Sequence, residues 1–256
     1  MIGAIAGDMI GSPYEGNPIK TKDFKIRISR FTDDTVLTIA VANAILTGTG
    51  YRESIVAFAQ KYPNAGYGGT FQRWMWQPDP EPYNSWGNGS AMRVSPVGFA
   101  FDTVDKVLSE AKSSAEVSHN HIEGIRGAQA VALAIFLARK FENKTIIRDE
   151  ISSRFPYDLN RTVDEIRRGY RFDVSCQGSV PESIISFLES QSFEDAIKNA
   201  VSLGGDSDTM ACIAGGIAQA YYKKIPEWMI REVKEKLPFD LLKVLNSFNE
   251  RYNCEF

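Results

Sequence analysis

The strongest constraint in this chain is a helical repeat that leaves almost no room for charge. From Met210 the apolar residues continue at Ile213, Ala214, Ile217, Ala218, Tyr221 and Tyr222. From Leu37 they continue at Ala40, Val41, Ala44 and Ile45, and from Ala128 at Val131, Ala132, Ile135 and Phe136. This is the i, i+3, i+4, i+7, i+8 spacing of one helix face. The Leu37 and Met210 segments carry few charges on any face, so they are predicted to be central and surrounded. Further helices are predicted near 52–61, 103–116, 145–154, 162–169, 181–189, 193–201, 226–236 and 239–250. "FKIRIS" (24–29) is the one strand candidate, and one strand makes no sheet. The expectation is an all-α, compact, multi-helix protein with a single domain over 1–256.

One segment breaks the helical pattern. Residues 62–98 are rich in Gly, Pro, Asn and aromatics and hold Trp74, Trp76 and Trp86, three of the four tryptophans. A loop region of this length in a compact domain is usually functional or disordered, and the tryptophans favour function.

Composition excludes several classes. A formal net charge of −3 lacks the basic surplus of a general nucleic-acid binder. Cys176, Cys212 and Cys254 are scattered, without zinc or redox-motif spacing, as expected of reduced thiols in a cytoplasmic protein. The start, "MIGAIAGDMIGSPYE", has no basic n-region, and Asp8 interrupts its apolar run, so it does not read as a secretory signal. No apolar stretch is long enough for a bilayer.

Carboxylates stand where the apolar helices begin. In "GGDSDT" (204–209), Gly204 and Gly205 can stop one helix while Asp206 caps the next. Asp208 fits that reading less well, since the helix dipole repays a first-turn carboxylate by only about 0.3–1 kcal/mol. "FTDDT" (31–35) repeats the chemistry with Thr32, Asp33 and Asp34 at the start of the Leu37 helix. Two readings stand here: helix caps, or a cation site. Burying neighbouring carboxylates costs several kcal/mol unless a cation joins them. If the two helix starts meet, the donors are all hard oxygen, which suits Mg²⁺, Mn²⁺ or Ca²⁺ rather than zinc. Four carboxylates can neutralise two divalent ions.

"GAIAGDMIGSPYE", "FTDDT", "NSWGNGSAMR", "SHNHIEGIRGAQAVALAI" and "GGDSDTMACIAGGIAQAYY" occur in order between about residues 2 and 222. Together they resemble the ADP-ribosylglycohydrolase family. The resemblance implies a compact orthogonal helical bundle with a dinuclear magnesium centre, or manganese in some members. It implies removal of ADP-ribose from a protein side chain or a small conjugate. By resemblance, Thr32, Asp33 and Asp34 form the first metal motif. Asp206, Asp208 and Thr209 form the second, with Asp208 as the bridge. Glu15 is a glutamate that reaches the metal site and takes part in catalysis together with Asp33 and Asp34. The loop Gly66, Tyr67, Gly68 and Gly69 holds the diphosphate. Ser85 and Asn88 line the ADP-ribose cleft, Trp86 stacks on adenine, and His119 contacts the ADP-ribose. Arg93 is expected to be structural, paired with a buried acid. The chain departs from the family at Ile122, where many members have proline, and at Lys223–Lys224.

The implied reaction breaks the bond from the anomeric carbon of the distal ribose to its acceptor, through an oxocarbenium-like transition state. The cations fix the sugar and activate water, Asp33 or Asp34 orients or deprotonates that water, and Glu15 serves as proton donor or as a gate. Two other readings use the same residues: a divalent-metal nucleotide phosphohydrolase, and a non-catalytic ADP-ribose binder.

Overall fold

The computed structural model describes residues 1–256 and contains fifteen helices in chain order. They are α1 (Ile2–Glu15), α2 (Asp33–Thr47), α3 (Tyr51–Lys61), α4 (Gly69–Trp74), α5 (Gly89–Met92), α6 (Ser95–Ala100), α7 (Val104–Glu116) and α8 (Ile122–Phe141). Then come α9 (Lys144–Arg154), α10 (Val163–Gly169), α11 (Cys176–Leu188), α12 (Phe193–Ser202), α13 (Ser207–Tyr222), α14 (Glu227–Lys236) and α15 (Phe239–Arg251). The protein is all-α. Its only β-type pairing is one isolated antiparallel bridge between Gly87 and Ser175.

The centre is the antiparallel pair α1 and α13. Gly3, Gly7 and Gly11 recur every fourth residue and so form one stripe along α1. A Cβ on Gly3 would lie 2.6 Å from the Gly215 carbonyl oxygen, on Gly7 2.0 Å from that of Ala211, and on Gly11 2.3 Å from that of Ser207. The two backbones therefore touch along three turns. α13 is also covered by α8, α11 and α12, and α2 packs against α3, α6 and α15. All but the last two residues of α13 are buried, as its nearly charge-free sequence requires. One continuous apolar core runs from Met1 to Cys254.

Three sequence expectations are corrected. Residues 2–15 carry no element in the sequence reading, yet they form the central helix. Glycines and Pro13 make the segment a poor helix former by propensity, and only close packing makes it favourable. "FKIRIS" is not a strand, because no second strand exists to pair with it. α11 begins at Cys176 rather than near 181. Proline favours the first helical position, but Pro181 lies in the second turn of this helix. The 62–98 region is irregular but encloses α4, α5 and the start of α6.

Candidate active site

The N-termini of α2 and α13 meet, the condition under which their carboxylates can form one site. The Thr209 hydroxyl on α13 donates to Asp34 Oδ2 on α2 at 3.3 Å. Thr32 caps α2 by accepting from the Asp34 amide. Asp206 occupies the corresponding position of α13 but makes no side-chain cap bond. Its Oδ2 instead accepts from Asn88 Nδ2 at 2.7 Å. Asp206 therefore does not cap α13 through its side chain. Asp208 Oδ1 accepts from the Thr209 amide at 2.9 Å.

Carboxylate oxygens of Glu15, Asp206 and Asp208 lie within 4.8 Å of one another. Asp33 and Asp34 share the same cleft. None of these five carboxylates forms an ion pair with a Lys or Arg. Burial, and then the charge of Asp208, hold Asp33, Asp34 and Asp206 well above the usual carboxylate range. Glu15 is raised by burial and by Asp208, with Arg30 opposing. Asp34 Oδ1 is buried without any partner. Crowded hard-oxygen donors, no compensating cation and an orphaned carboxylate oxygen together fit a divalent metal.

Asp8 was visible in the sequence only as an interruption, yet it is the keystone under this site. It is completely buried on α1. Its carboxylate accepts from the Thr32 amide at 2.9 Å, the Thr32 hydroxyl at 2.8 Å, the Thr35 amide at 3.2 Å and the Thr35 hydroxyl. Burial and the Asp208 charge push its carboxyl up to about 7 despite these donors. The sequence did hold a signal. A lone acid within an otherwise apolar helix must find buried donors, and two threonines bracket the acidic motif at 33–34.

A cleft of about 530 Å³ rises from the carboxylates. Its walls include Gly66, Gly68, Gly69, Ser85, Trp86, Asn88 and His119, and its floor holds Glu15, Asp33, Asp34, Asp206, Asp208 and Thr209. Gly66 has φ +111° and leaves Asp33 Oδ1 just 3.4 Å from where a Cβ would stand. Asp33 N in turn donates to Ala65 O at 2.9 Å, tying the glycine loop to α2. Two anticipated residues do not line the cleft. Thr32 turns its hydroxyl to Asp8. Tyr67 is buried and stacks on Phe71 with ring centroids 5.3 Å apart.

The far wall is built by two loops. Asn88 N donates to Val174 O at 2.7 Å, and Cys176 N donates to Trp86 O at 2.9 Å. Asn88 thus joins the wall to Asp206. Trp86 is 54% exposed, with its edge toward His121 at 5.8 Å. Phe172 and Val174, which the sequence reading overlooked, expose apolar surface on the same rim. They lie in a short connection whose pairing with 86–88 is a tertiary event. The buried His119 ring shares Nδ1 with Ser118 Oγ at 2.8 Å and faces the Gly87–Gly89 backbone through Nε2. Burial and nearby Arg93 hold its pKa well below the ordinary histidine value, so the ring is neutral. Arg93 is fully buried against the cleft, and its partners are not the expected acid. It donates to Ser114 O at 2.8 Å and Ser118 Oγ at 3.0 Å, and burial lowers its pKa to about 10.

Comparison with known proteins agrees with this construction. The family model described as ADP-ribosylglycohydrolase matches residues 1–253. The chain is 26% identical over 315 residues to ADP-ribosylhydrolase ARH3 of Homo sapiens, covering 89% of this chain and 86% of that protein. It is 24% identical over 267 residues to ADP-ribosylarginine hydrolase Tri1 of Pseudomonas putida, covering 90% of this chain and 72% of Tri1. A solved structure described as an ADP-ribosylglycohydrolase-related protein complex superposes with a TM-score of 0.74 at 21% identity, covering 98% of this chain and 95% of that one. With its helical architecture, its joined acidic helix starts and a family match over nearly its whole length, the chain belongs to the ADP-ribosylglycohydrolase family.

Proposed function

We propose that this protein is a divalent-metal-dependent hydrolase that cleaves the bond between the distal ribose of ADP-ribose and an acceptor. The acceptor is an ADP-ribosylated protein side chain or a small conjugate, and free ADP-ribose is released. The observation that carries this reading is the meeting of two acidic helix starts, without a cationic partner, at the floor of a cleft walled by glycines and an exposed tryptophan.

Asp33, Asp34, Asp206 and Asp208 would hold the cation, Mg²⁺ or Mn²⁺, and their four charges would balance two such ions. Thr209 would add a hydroxyl oxygen. Thr32 lies behind the site, donating to Asp8 and accepting from the Asp34 amide, and so holds the first acidic motif in place. When bound, the ions supply charge neutralisation, a hold on the ribose hydroxyls and acidification of water.

The chain's own groups do the rest. Gly66, Gly68 and Gly69 let backbone amides approach the diphosphate. Trp86 offers a face to adenine, and neutral His119 a hydrogen-bonding nitrogen. Asp33 or Asp34 orients the attacking water and accepts its proton. Glu15 borders the open side of the site, and its raised pKa suits a donor of a proton to the leaving group.

A panel of ADP-ribosylated arginine, serine and acetyl-ester substrates, read by mass spectrometry, tests this. The expected product is free ADP-ribose. AMP in its place means diphosphate cleavage, and binding without turnover means a reader.

A further inference from the structure

The stretch that reads as a strand in the sequence is left alone in the fold. Residues 25–31 form neither helix, turn nor bend, and burial alternates along them: Lys25 and Arg27 are exposed, Ile26 is half-buried and Ile28 is buried. That period of two marks an extended chain. From Lys25 to Ile28 no backbone N–H or carbonyl oxygen has a partner within the protein. The next anchor is Ser29, whose amide donates to Met9 O at 2.9 Å. An extended segment with unpaired amides is a template for another strand.

This segment forms one wall of a groove of about 880 Å³, opposite Pro13, Tyr14 and Asn17 at the end of α1 and beside Lys236 on α14. Lys25, Arg27, Arg30 and Lys236 all line it, and none of the four has a carboxylate partner. In a chain of net charge −3 this is a local excess of free cations. The groove also borders the catalytic cleft. Tyr14 precedes Glu15, Phe31 precedes Thr32, and Arg30 is close enough for its charge to act on Glu15. It shares no residue with the glycine and tryptophan walls of the ADP-ribose cleft.

We propose that this groove receives the acceptor as an acidic peptide. The polypeptide flanking the ADP-ribosylated residue adds to residues 25–28 as a strand and sets its carboxylates against Lys25, Arg27, Arg30 and Lys236. The proposal rests on the ADP-ribosylhydrolase reading above for the identity of the substrate. Strand addition draws affinity from main-chain hydrogen bonds and selectivity from alternate side chains. Here the outward side chains of the template are cationic, so acidic flanks are selected and their encounter is steered by charge. A nucleic-acid strand would use the cations but has no repeating amide to match the open N–H and C=O groups.

The test uses the full-length protein and its Lys25→Ser/Arg27→Ser double variant, whose replaced side chains make no intramolecular bonds. Thermal melts confirm that both are folded. Fluorescence anisotropy compares a labelled ten-residue Glu-rich peptide, the same peptide N-methylated at alternate residues, and a 5′-phosphorylated decanucleotide. The double substitution and the N-methylation should each weaken peptide binding about tenfold, the scale of one or two hydrogen bonds. In parallel, the ratio of kcat/KM for an acidic ADP-ribosylated peptide to that for the free ADP-ribosylated amino acid should fall about tenfold in the variant, through KM. Equal binding by parent and variant overturns the groove, and equal binding of the N-methylated peptide overturns strand addition. Tighter binding of the oligonucleotide than of the peptide overturns the acidic-peptide assignment. A parent that hydrolyses neither substrate defeats the hydrolase reading, while the anisotropy still decides the groove.

Discussion

Asp208 is the residue on which the electrostatics of the site turn. Its charge acts on Glu15, Asp8, Asp33, Asp34 and Asp206. Without a cation this is repulsion in a low-dielectric pocket. Asp208→Asn is therefore expected to abolish hydrolysis while leaving the metal-free protein as stable as the parent or more so. Mg²⁺ should raise the melting temperature of the parent, because a ligand of the native state stabilises it by mass action. The variant should lose most of that rise. An active variant with an undiminished Mg²⁺ shift would return the aspartates to the role of helix starters. Trp86 makes a separate case, because it is exposed and free to stack. Trp86→Ala should weaken ADP-ribose by about 1–3 kcal/mol, the worth of a base–aromatic stack, and hardly affect ribose 5-phosphate. Calorimetric titration of both ligands separates the two, and equal losses would place adenine elsewhere.

Among the elements, the contact between α1 and α13 decides whether the site exists. The glycine stripe brings the helix backbones together and sets Asp8 of α1 beneath Thr32, the cap of α2, and Thr35 in its first turn, within range of the Asp208 charge. Gly7→Ala puts a methyl group 2.0 Å from the Ala211 carbonyl oxygen, and neither backbone can yield without parting the helices. Overpacking typically costs about 1–3 kcal/mol, and a clash with backbone belongs at or above the upper end. A lowered melting temperature and a reduced response to Mg²⁺ are both expected. Gly169→Ala is the control: it meets nothing within 4 Å and should be near neutral. If the two variants melt alike, the close approach is not what holds the pair together.

For the whole molecule, the buried acids couple stability to pH. A carboxyl whose pKa is raised on folding holds more protons in the native than in the unfolded state. Stability then falls as pH rises from the unfolded carboxyl range toward the folded value. For Asp8 that window runs from 3.8 to about 7, and Asp33, Asp34 and Asp206 shift in the same direction. Metal-free protein should lose melting temperature between pH 5 and about 7, and saturating Mg²⁺ should flatten the slope by supplying the missing positive charge. EDTA should remove turnover over the same range and Mg²⁺ or Mn²⁺ restore it. Full activity after exhaustive chelation defeats the metal reading.

The helical class and the chemistry of the donors follow from local sequence alone. Periodicity is local, so the faces beginning at Leu37, Ala128 and Met210 were legible, and so were the acids at 33–34, 206 and 208 that open two buried helices. The ordered family motifs extended this to Gly66, Gly68, Gly69, Ser85, Trp86, Asn88 and His119, all of which line one cleft. Whatever depends on a distant partner emerges only in the folded chain. α1 is a helix because its bare glycines meet the carbonyls of α13, a fit that propensity does not encode. Asp8 is a buried acceptor because four donors arrive from another element. Phe172 and Val174 reach the rim because their loop bonds to the one carrying Trp86 and Asn88. Residues 24–29 have the pattern of a strand and adopt no sheet, since a strand is completed by a second chain segment and this fold offers none.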